Sequence, residues 1–342
     1  MKKKDITIYD LAAKLGISVT TVSRSLSGHE SINKKTRQTV ENLAREVGYQ
    51  RNKFASNLRL GQTFTIGVIV PKLNSLFISS VLSGIEKVVN KSNYNLIICQ
   101  SFEDETKEKN NIKTMFDNRV DALIVSLSTK MEDFTYLDEF LNKKVPIILF
   151  DRTSQFIPST KVVIDNHKAG YIATEHLLLQ GCRNIVHITG DLKHSVYKER
   201  LEGFKEALKA YGLEFAQHML IDDQLTEIAI KNVLLNDILK REQRPDALFI
   251  TNDSIAAYAL VILKQQGIRV PKDIAIVGFN NDLISSVTEP AITTVNYPGF
   301  EMGETIGKTA IDMLANAKNN VTINKTIVLE ADLIIRGSSL KK

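Results

Sequence analysis

Two rhythms of apolar residues divide the chain. Over residues 5–48 apolar side chains recur every three or four positions, the spacing of one helical face, with no strand-like run between them. Three short helices are predicted, Ile8–Leu15, Val19–Leu26 and Lys34–Val47. Thr7, Ser18 and Asn33 stand at their starts, where each can accept a backbone N–H as an N-cap. Gly16 falls where the first helix must turn, and Gly48 ends the third. Leu11, Ala12, Leu15, Ile17, Val22, Leu26, Val40, Leu43, Ala44 and Val47 would make one small core. From Phe64 onward the rhythm changes to short apolar runs: TIGVIVP (65–71), NLIICQS (95–101), DALIVSL (121–127), VPIILFD (145–151), VVID (162–165), NIVHITG (184–190), DALFITND (246–253) and IAIVGFN (274–280). Helical patterns such as FISSVLSGIEKVVNKSN (77–93) and RLEGFKEALKAYG (200–212) lie between most of them. Strands alternating with helices mean βαβ units and parallel sheets covered on both faces. Eight such units exceed one ordinary doubly wound sheet, so two lobes are expected, with ligand in the crevice at the carboxyl ends of the strands. VDALIVS (120–126) resembles PDALFIT (245–251), as two lobes built alike would require.

The stretch SVTTVSR (18–24) has strand-like residue types but sits between segments of helical spacing. Two helices joined by a tight turn at Gly16 make a helix-turn-helix, whose second helix is the reader of the DNA major groove. With Ser18 as cap, Val19, Thr20 and Arg24 project from the exposed side, while Val22 and Leu26 face the core. Short side chains let the backbone approach the groove, and Arg24 can reach guanine edges. Ser18, Thr21 and Ser23 can donate to phosphates, with Tyr9 a phenolic donor nearby. An ordinary small helical bundle with solvated hydroxyls remains the alternative on these residues alone.

Charge is compatible with both readings, since a lysine-rich solvated face would give the same excess. Residues 1–62 hold 12 lysines and arginines against 5 acidic residues, whereas the remainder holds 32 against 34. A basic segment joined to a slightly acidic body suits contact with a polyanion. At 43% hydrophobic and 24% charged the chain is globular rather than disordered. No apolar run approaches the roughly 18 residues that span a bilayer, and the basic N-terminus MKKKDITIYD lacks an apolar stretch after it, so a cytoplasmic protein is expected. Cys99 and Cys182 have no metal-ligand or CxxC spacing and read as small hydrophobes in a reducing compartment.

TIYDLAAKLGISVTTVSRSLSGHESINKKTRQTVENLAREVGYQRN (7–52) closely resembles the N-terminal domain of LacI/GalR-family bacterial transcription factors. The family's Gly-Val-Ser-x-x-Thr-Val-Ser-Arg signature is matched almost throughout, and the body pattern fits the family's effector domain. The resemblance implies a small all-α helix-turn-helix domain (1–50), a hinge (51–63) and an α/β periplasmic-binding-protein-like core of two lobes with parallel sheets (64–342). The expected lobe limits are 64–163 with 293–324, and 164–292 with 325–342. It implies a homodimer on a palindromic operator in double-stranded DNA, controlled by a sugar-like small molecule, with no cofactor and no membrane partner. Asn33 and Arg37, at the head of the third helix, join the DNA-facing set. NKFASNLRLGQT (52–63) matches the family's hinge helix, in which Asn52 and small Ala55 lie at the minor groove and Leu58 takes the place of the leucine wedge. The family usually has proline before that asparagine; here it is Arg51.

In the core, Asp151 and Arg152 follow VPIILF, Asn252 and Asp253 follow ALFIT, Asn280 follows AIVGF, and Arg200 opens RLEGF. Carboxylate, guanidinium and amide groups converging in an apolar crevice suit a polyhydroxylated ligand. Matching to the family's sugar-binding pattern selects Asp151, Arg152, Arg200, Asn252 and Asn280, with Asp253 read as an N-cap. Phe77 and Phe279 are read as walls for a sugar face. Departures stand at Asn74-Ser75-Leu76-Phe77, where Asn-Pro-Phe-Phe is common, at Asn280, where most relatives carry Asp, and at Tyr297, where Gln is common. GETIGKT (303–309) is one residue short of a phosphate loop and lies in a helical stretch. His187 and His194 lack metal-ligand spacing, and no catalytic constellation is apparent. A cytoplasmic sugar-binding protein or a sugar-metabolising enzyme without a DNA role is the rival reading.

Overall fold

The computed structural model describes residues 6–49, 62–128, 133–223, 225–317 and 323–341. The chain divides into two units, Met1–Thr63 and Phe64–Lys342. The hinge residues Asn52, Ala55 and Leu58 lie outside the described residues.

The first unit holds α1 (Ile8–Leu15), α2 (Val19–Leu26) and α3 (Lys34–Glu46). Each begins on a side-chain cap. Thr7 and Asp10 form a reciprocal capping box, Ser18 Oγ accepts the Thr21 N–H at 3.1 Å, and Asn33 Oδ1 accepts that of Thr36 at 2.8 Å. Gly16 closes α1 at φ 62°, a left-handed conformation that costs glycine little. Leu11, Ala12, Val22, Val40 and Ala44 form the buried centre, with Leu15, Ile17, Leu26, Leu43 and Val47 packed around it. Val19 differs from expectation: it is half-buried against this core rather than projecting from it. Ser25 is buried too, its hydroxyl donating to Thr21 O at 2.8 Å.

The second unit contains two six-stranded sheets. The first is ordered β11-β5-β4-β3-β1-β2, with β1 Thr65–Val70, β2 Asn95–Gln100, β3 Ala122–Val125, β4 Ile147–Phe150, β5 Thr160–Ile164 and β11 Thr326–Leu329. The second is ordered β12-β10-β9-β8-β6-β7, with β6 Ile185–Thr189, β7 Leu220–Asp222, β8 Ala247–Ile250, β9 Ala275–Asn280, β10 Thr293–Asn296 and β12 Leu333–Ile334. All pairs are parallel except β10 with β12. The central strands β3, β4, β6 and β8 are buried at every residue, as strands covered on both faces must be. The matching VDALIVS and PDALFIT segments become β3 and β8, which hold the same place in the two sheet orders.

The lobe limits need correction at both ends. β10, expected in the first lobe, pairs with β9 in the second, and β11, expected in the second, pairs with β5 in the first. Neither segment is a long apolar run, so strand pairing rather than composition decides where each belongs.

One helix crossing in each lobe depends on paired glycines. α4 (Leu76–Lys91) meets α12 (Gly299–Ala317) in the first lobe, and α7 (Asn166–Leu179) meets α8 (Ser195–Ala210) in the second. A Cβ on Gly84 would come within 2.2 Å of Phe300 O, and one on Gly303 within 2.1 Å of Val81 O. In the second lobe a Cβ on Gly170 would lie 2.2 Å from Arg200 O, and one on Gly203 2.0 Å from His167 O. The glycines of GETIGKT are therefore helix-packing positions, and Gly307 likewise faces Val88 and Ile85.

His187 is buried in β6 between the rings of Phe204 and Phe249, at 5.2 and 4.6 Å. Burial pushes its imidazole down to about 3 from the ordinary 6.5. Between those values the unfolded chain holds the extra proton, so stability is full above pH 6.5 and falls as the pH drops toward 3. Urea unfolding at pH 7 and pH 5 should show His187→Phe losing about 2 kcal/mol less than the parent on acidification. Equal losses in the two proteins would contradict the assignment.

Candidate functional site

In the first unit, α2 presents two contrasting faces. Val22 and Ser25 point inward, whereas Ser18, Thr20 and Arg24 are exposed and Thr21 and Ser23 half-exposed. Besides capping, the Ser18 hydroxyl bonds that of Thr21 at 2.9 Å, which fixes both at the leading turn. Tyr9 is exposed on α1. Arg37 is tethered: its Nη2 donates to the carbonyls of Gly28 and His29, both at 3.0 Å, and holds the turn between α2 and α3. Asn33 spends its side-chain oxygen on its cap, with its amide left exposed.

In the second unit, the carboxyl ends of strands from both lobes meet around one side chain. Tyr297, just past β10, donates from its phenol to Asp151 Oδ1 at 2.9 Å, and Asp151 follows β4. The Tyr297 ring stacks on Phe77 with centroids 4.1 Å apart and stands edge-on to Phe279 at 6.1 Å. Arg200, on α8, lays its guanidinium 3.6 Å from the centre of Phe279 and donates from Nε to Asn166 Oδ1 at 2.9 Å. Arg200 is only 3% exposed, and burial lowers its affinity for its proton. A buried cation whose Nε donates to a neutral amide oxygen suits an oxygen-rich ligand.

A second polar group lies beside this one. Arg152 Nη1 donates to Glu103 Oε2 at 2.6 Å, and His194 Nε2 approaches the same oxygen at 4.0 Å. Burial, with Arg152 and Lys72 nearby, pushes His194 down to about 3, so this approach is that of a neutral imidazole. Glu103 follows β2 in the first lobe and His194 follows β6 in the second, so this contact too spans the lobes.

The backbone is distorted where these side chains emerge. Glu103, Asp151 and Asn280 have φ of 59°, 55° and 110°, a region that non-glycine residues enter at a cost.

Two readings from the sequence change. Asn252, not Asp253, caps α10 (Asp253–Gln265), accepting the Ile255 N–H at 3.0 Å. The Asp253 carboxylate is instead buried, accepts the Asp282 N–H at 2.8 Å and is raised to about 7, chiefly by burial. It lies where a Cβ on Gly278 would be, 2.1 Å from Oδ1, so glycine there lets the carboxylate hold the loop after Asn280. Phe279 is not an open wall, since it is fully buried beneath Arg200, and Phe77 is covered by Tyr297.

Of the sequence-selected residues, Phe77, Asp151, Arg200, Phe279 and Tyr297 come together, with the Asn280 carbonyl accepting the Tyr297 N–H at 3.4 Å. Arg152 joins through Glu103, while Asn74 is exposed before α4. Glu103 and Asn166 escaped the sequence reading, and His194 was weighed there only as a metal ligand. Glu103 lies three residues past β2, whereas Asp151 directly follows β4, so the strand-end rule that selects Asp151 passes over it.

Comparison with known proteins covers both units. Residues 7–52 match the model for bacterial regulatory proteins of the lacI family, and residues 174–339 that for a periplasmic binding protein-like domain. The chain is 30% identical over 334 residues to the HTH-type transcriptional regulator DegA of Bacillus subtilis (strain 168), covering 97% of this chain and 98% of the relative. It is 30% identical to the HTH-type transcriptional repressor PurR of Aliivibrio fischeri (strain MJ11), covering 98% and 99%. Among solved structures, the transcriptional regulator CelR–cellobiose complex superposes with a TM-score of 0.70 at 26% identity, covering 97% of this chain and 99% of that one.

Proposed function

The chain belongs to the lacI family of bacterial regulatory proteins and is a DNA-binding transcriptional regulator, and on that premise we propose that it represses carbohydrate-utilisation genes under the control of a sugar-like effector. The observation that carries the reading is α2: a capped helix whose exposed side is Thr20 and Arg24 among short hydroxyl side chains, on a unit rich in positive charge. Thr20 and Arg24 read bases, and Ser18, Thr21, Ser23 and Tyr9 donate to phosphates. Arg37 acts by holding the α2–α3 turn, with Asn33 beside it. Asn52, Ala55 and Leu58 are assigned to the minor groove, Leu58 as the wedge.

Residues 1–50 form the reading domain, 51–63 the hinge, and 64–342 the effector-binding and dimerisation core. Two chains meet one palindromic operator. Ile228, Val261, Leu283 and Val287 are exposed in the second lobe, and Leu73, Leu76, Ile98 and Phe102 in the first; these apolar groups suit burial against a second copy. The cleft binds and does not transform its ligand. Asp151, Arg152, Arg200, Asn252 and Asn280 supply its polar contacts, and effector binding changes the operator affinity of the reading domain by linkage. Among the described residues no helix is long and apolar enough to cross a membrane; the protein acts in the cytoplasm.

A thermal-shift screen of the full chain against mono- and disaccharides, ribose and cellobiose among them, tests the effector reading. At least one sugar should raise the melting temperature, and Arg200→Ala should weaken its binding about a hundredfold through loss of charge-assisted hydrogen bonds. A screen without a hit, or a hit that survives Arg200→Ala unchanged, contradicts it.

A further inference from the structure

Tyr297 lies on a crossover between the lobes. β10 before it belongs to the second sheet, whereas α12 after it packs on α4 in the first lobe. Its phenol is on Asp151, its ring on Phe77, and its edge against Phe279. The Arg200 guanidinium stands 5.8 Å from its centre, and its N–H reaches Asn280. These contacts all fall on residues assigned to the effector. At 4% exposure, Tyr297 fills their common centre. Its chemistry also matches the place: a hydroxyl directed at a carboxylate, on a flat face stacked against an aromatic ring, reproduces the contacts a ring sugar makes.

We infer that Tyr297 is a built-in occupant of the cleft, which takes the Asp151 acceptor and the Phe77 face and so determines which effectors fit. A ligand that reaches Asp151 must displace the phenol; one that leaves it in place is confined to the flank formed by Arg152, Glu103 and His194. Burial, reinforced by Asp151, holds the phenol's ionisation well above the ordinary tyrosine value, so it remains a donor at neutral pH. The inference rests on the reading of this cleft as the effector site and adds to it a specificity-determining residue.

Two full-length variants test it without knowledge of the natural effector. Tyr297→Phe keeps the ring and removes only the hydroxyl. Hydrogen–deuterium exchange should then accelerate about tenfold in residues 76–81 and in residues 279–282, one stretch from each lobe, and stay unchanged in β6. Parent-like exchange in both stretches overturns the inference. Tyr297→Ala leaves a space shaped like a phenol, and p-cresol should bind it saturably, one per chain, by calorimetry. The parent should show no such binding, and Asp151→Asn added to Tyr297→Ala should weaken it about tenfold. A folded Tyr297→Ala chain that fails to bind p-cresol, or binding indifferent to Asp151→Asn, also overturns it. Saturable p-cresol binding in a protein that responds to no sugar would keep Tyr297 as the occupant while removing the sugar reading, so the two fail separately.

Discussion

Arg24→Ala is expected to produce a folded protein that still binds duplex DNA but has lost its preference for the operator. The side chain is exposed on α2 and lies outside the small core, so its removal leaves Leu11, Val22 and Val40 packed as before. What disappears is a guanidinium able to bond two acceptors of one guanine, worth about 1–3 kcal/mol of discrimination per contact. Two chains on a palindrome lose it twice, which makes the expected loss on the operator at least about thirtyfold. The remaining hydroxyls and the basic residues of the first unit continue to engage phosphates, and this binding declines steeply with salt. Titrations of operator and scrambled duplex at two salt concentrations separate the two components. A variant that discriminates the duplexes as well as the parent does would remove Arg24 from the interface.

Gly203→Ala is expected to cost stability out of proportion to one methyl group. The added carbon would sit 2.0 Å from His167 O and 2.7 Å from Tyr171 N, both main-chain atoms of α7 that cannot rotate away. The two helices must separate, and overpacking of this kind costs about 3 kcal/mol. Arg200 lies one turn earlier on the same helix and bonds Asn166, the first residue of α7, so separation also displaces the cleft guanidinium. Lower urea resistance together with weakened effector binding is the expected pair of effects. Parent-like stability would show that the helices approach less closely than described. Gly84→Ala should behave alike in the first lobe, yet leave Arg200 in place.

How legible the molecule was in its sequence varied with the range of the interactions. The three short helices and their caps were readable because Thr7, Ser18 and Asn33 act on backbone groups three residues away. The eight apolar strands were readable because each is a local apolar run, and β3, β4, β6 and β8 are buried at every residue. β7 and β10 to β12 were not, since their short segments gain strand form only from neighbouring strands. The cleft was half legible. Asp151 and Asn280 stand out at strand ends and Arg200 at the opening of RLEGF, but the covering of Phe77 by Tyr297 and the pairing of Glu103 with Arg152 are long-range and leave no local pattern. GETIGKT shows the converse: its glycine spacing is a real signal, of helix crossing rather than phosphate binding.

The central claim, that α2 reads DNA sequence as part of a two-fold symmetric regulator, is tested most directly by selecting duplexes from a random pool with the full chain. The account predicts enrichment of one palindromic sequence whose two halves each require Thr20 and Arg24. Retention of DNA with no enriched sequence, falling uniformly as salt rises, would contradict it.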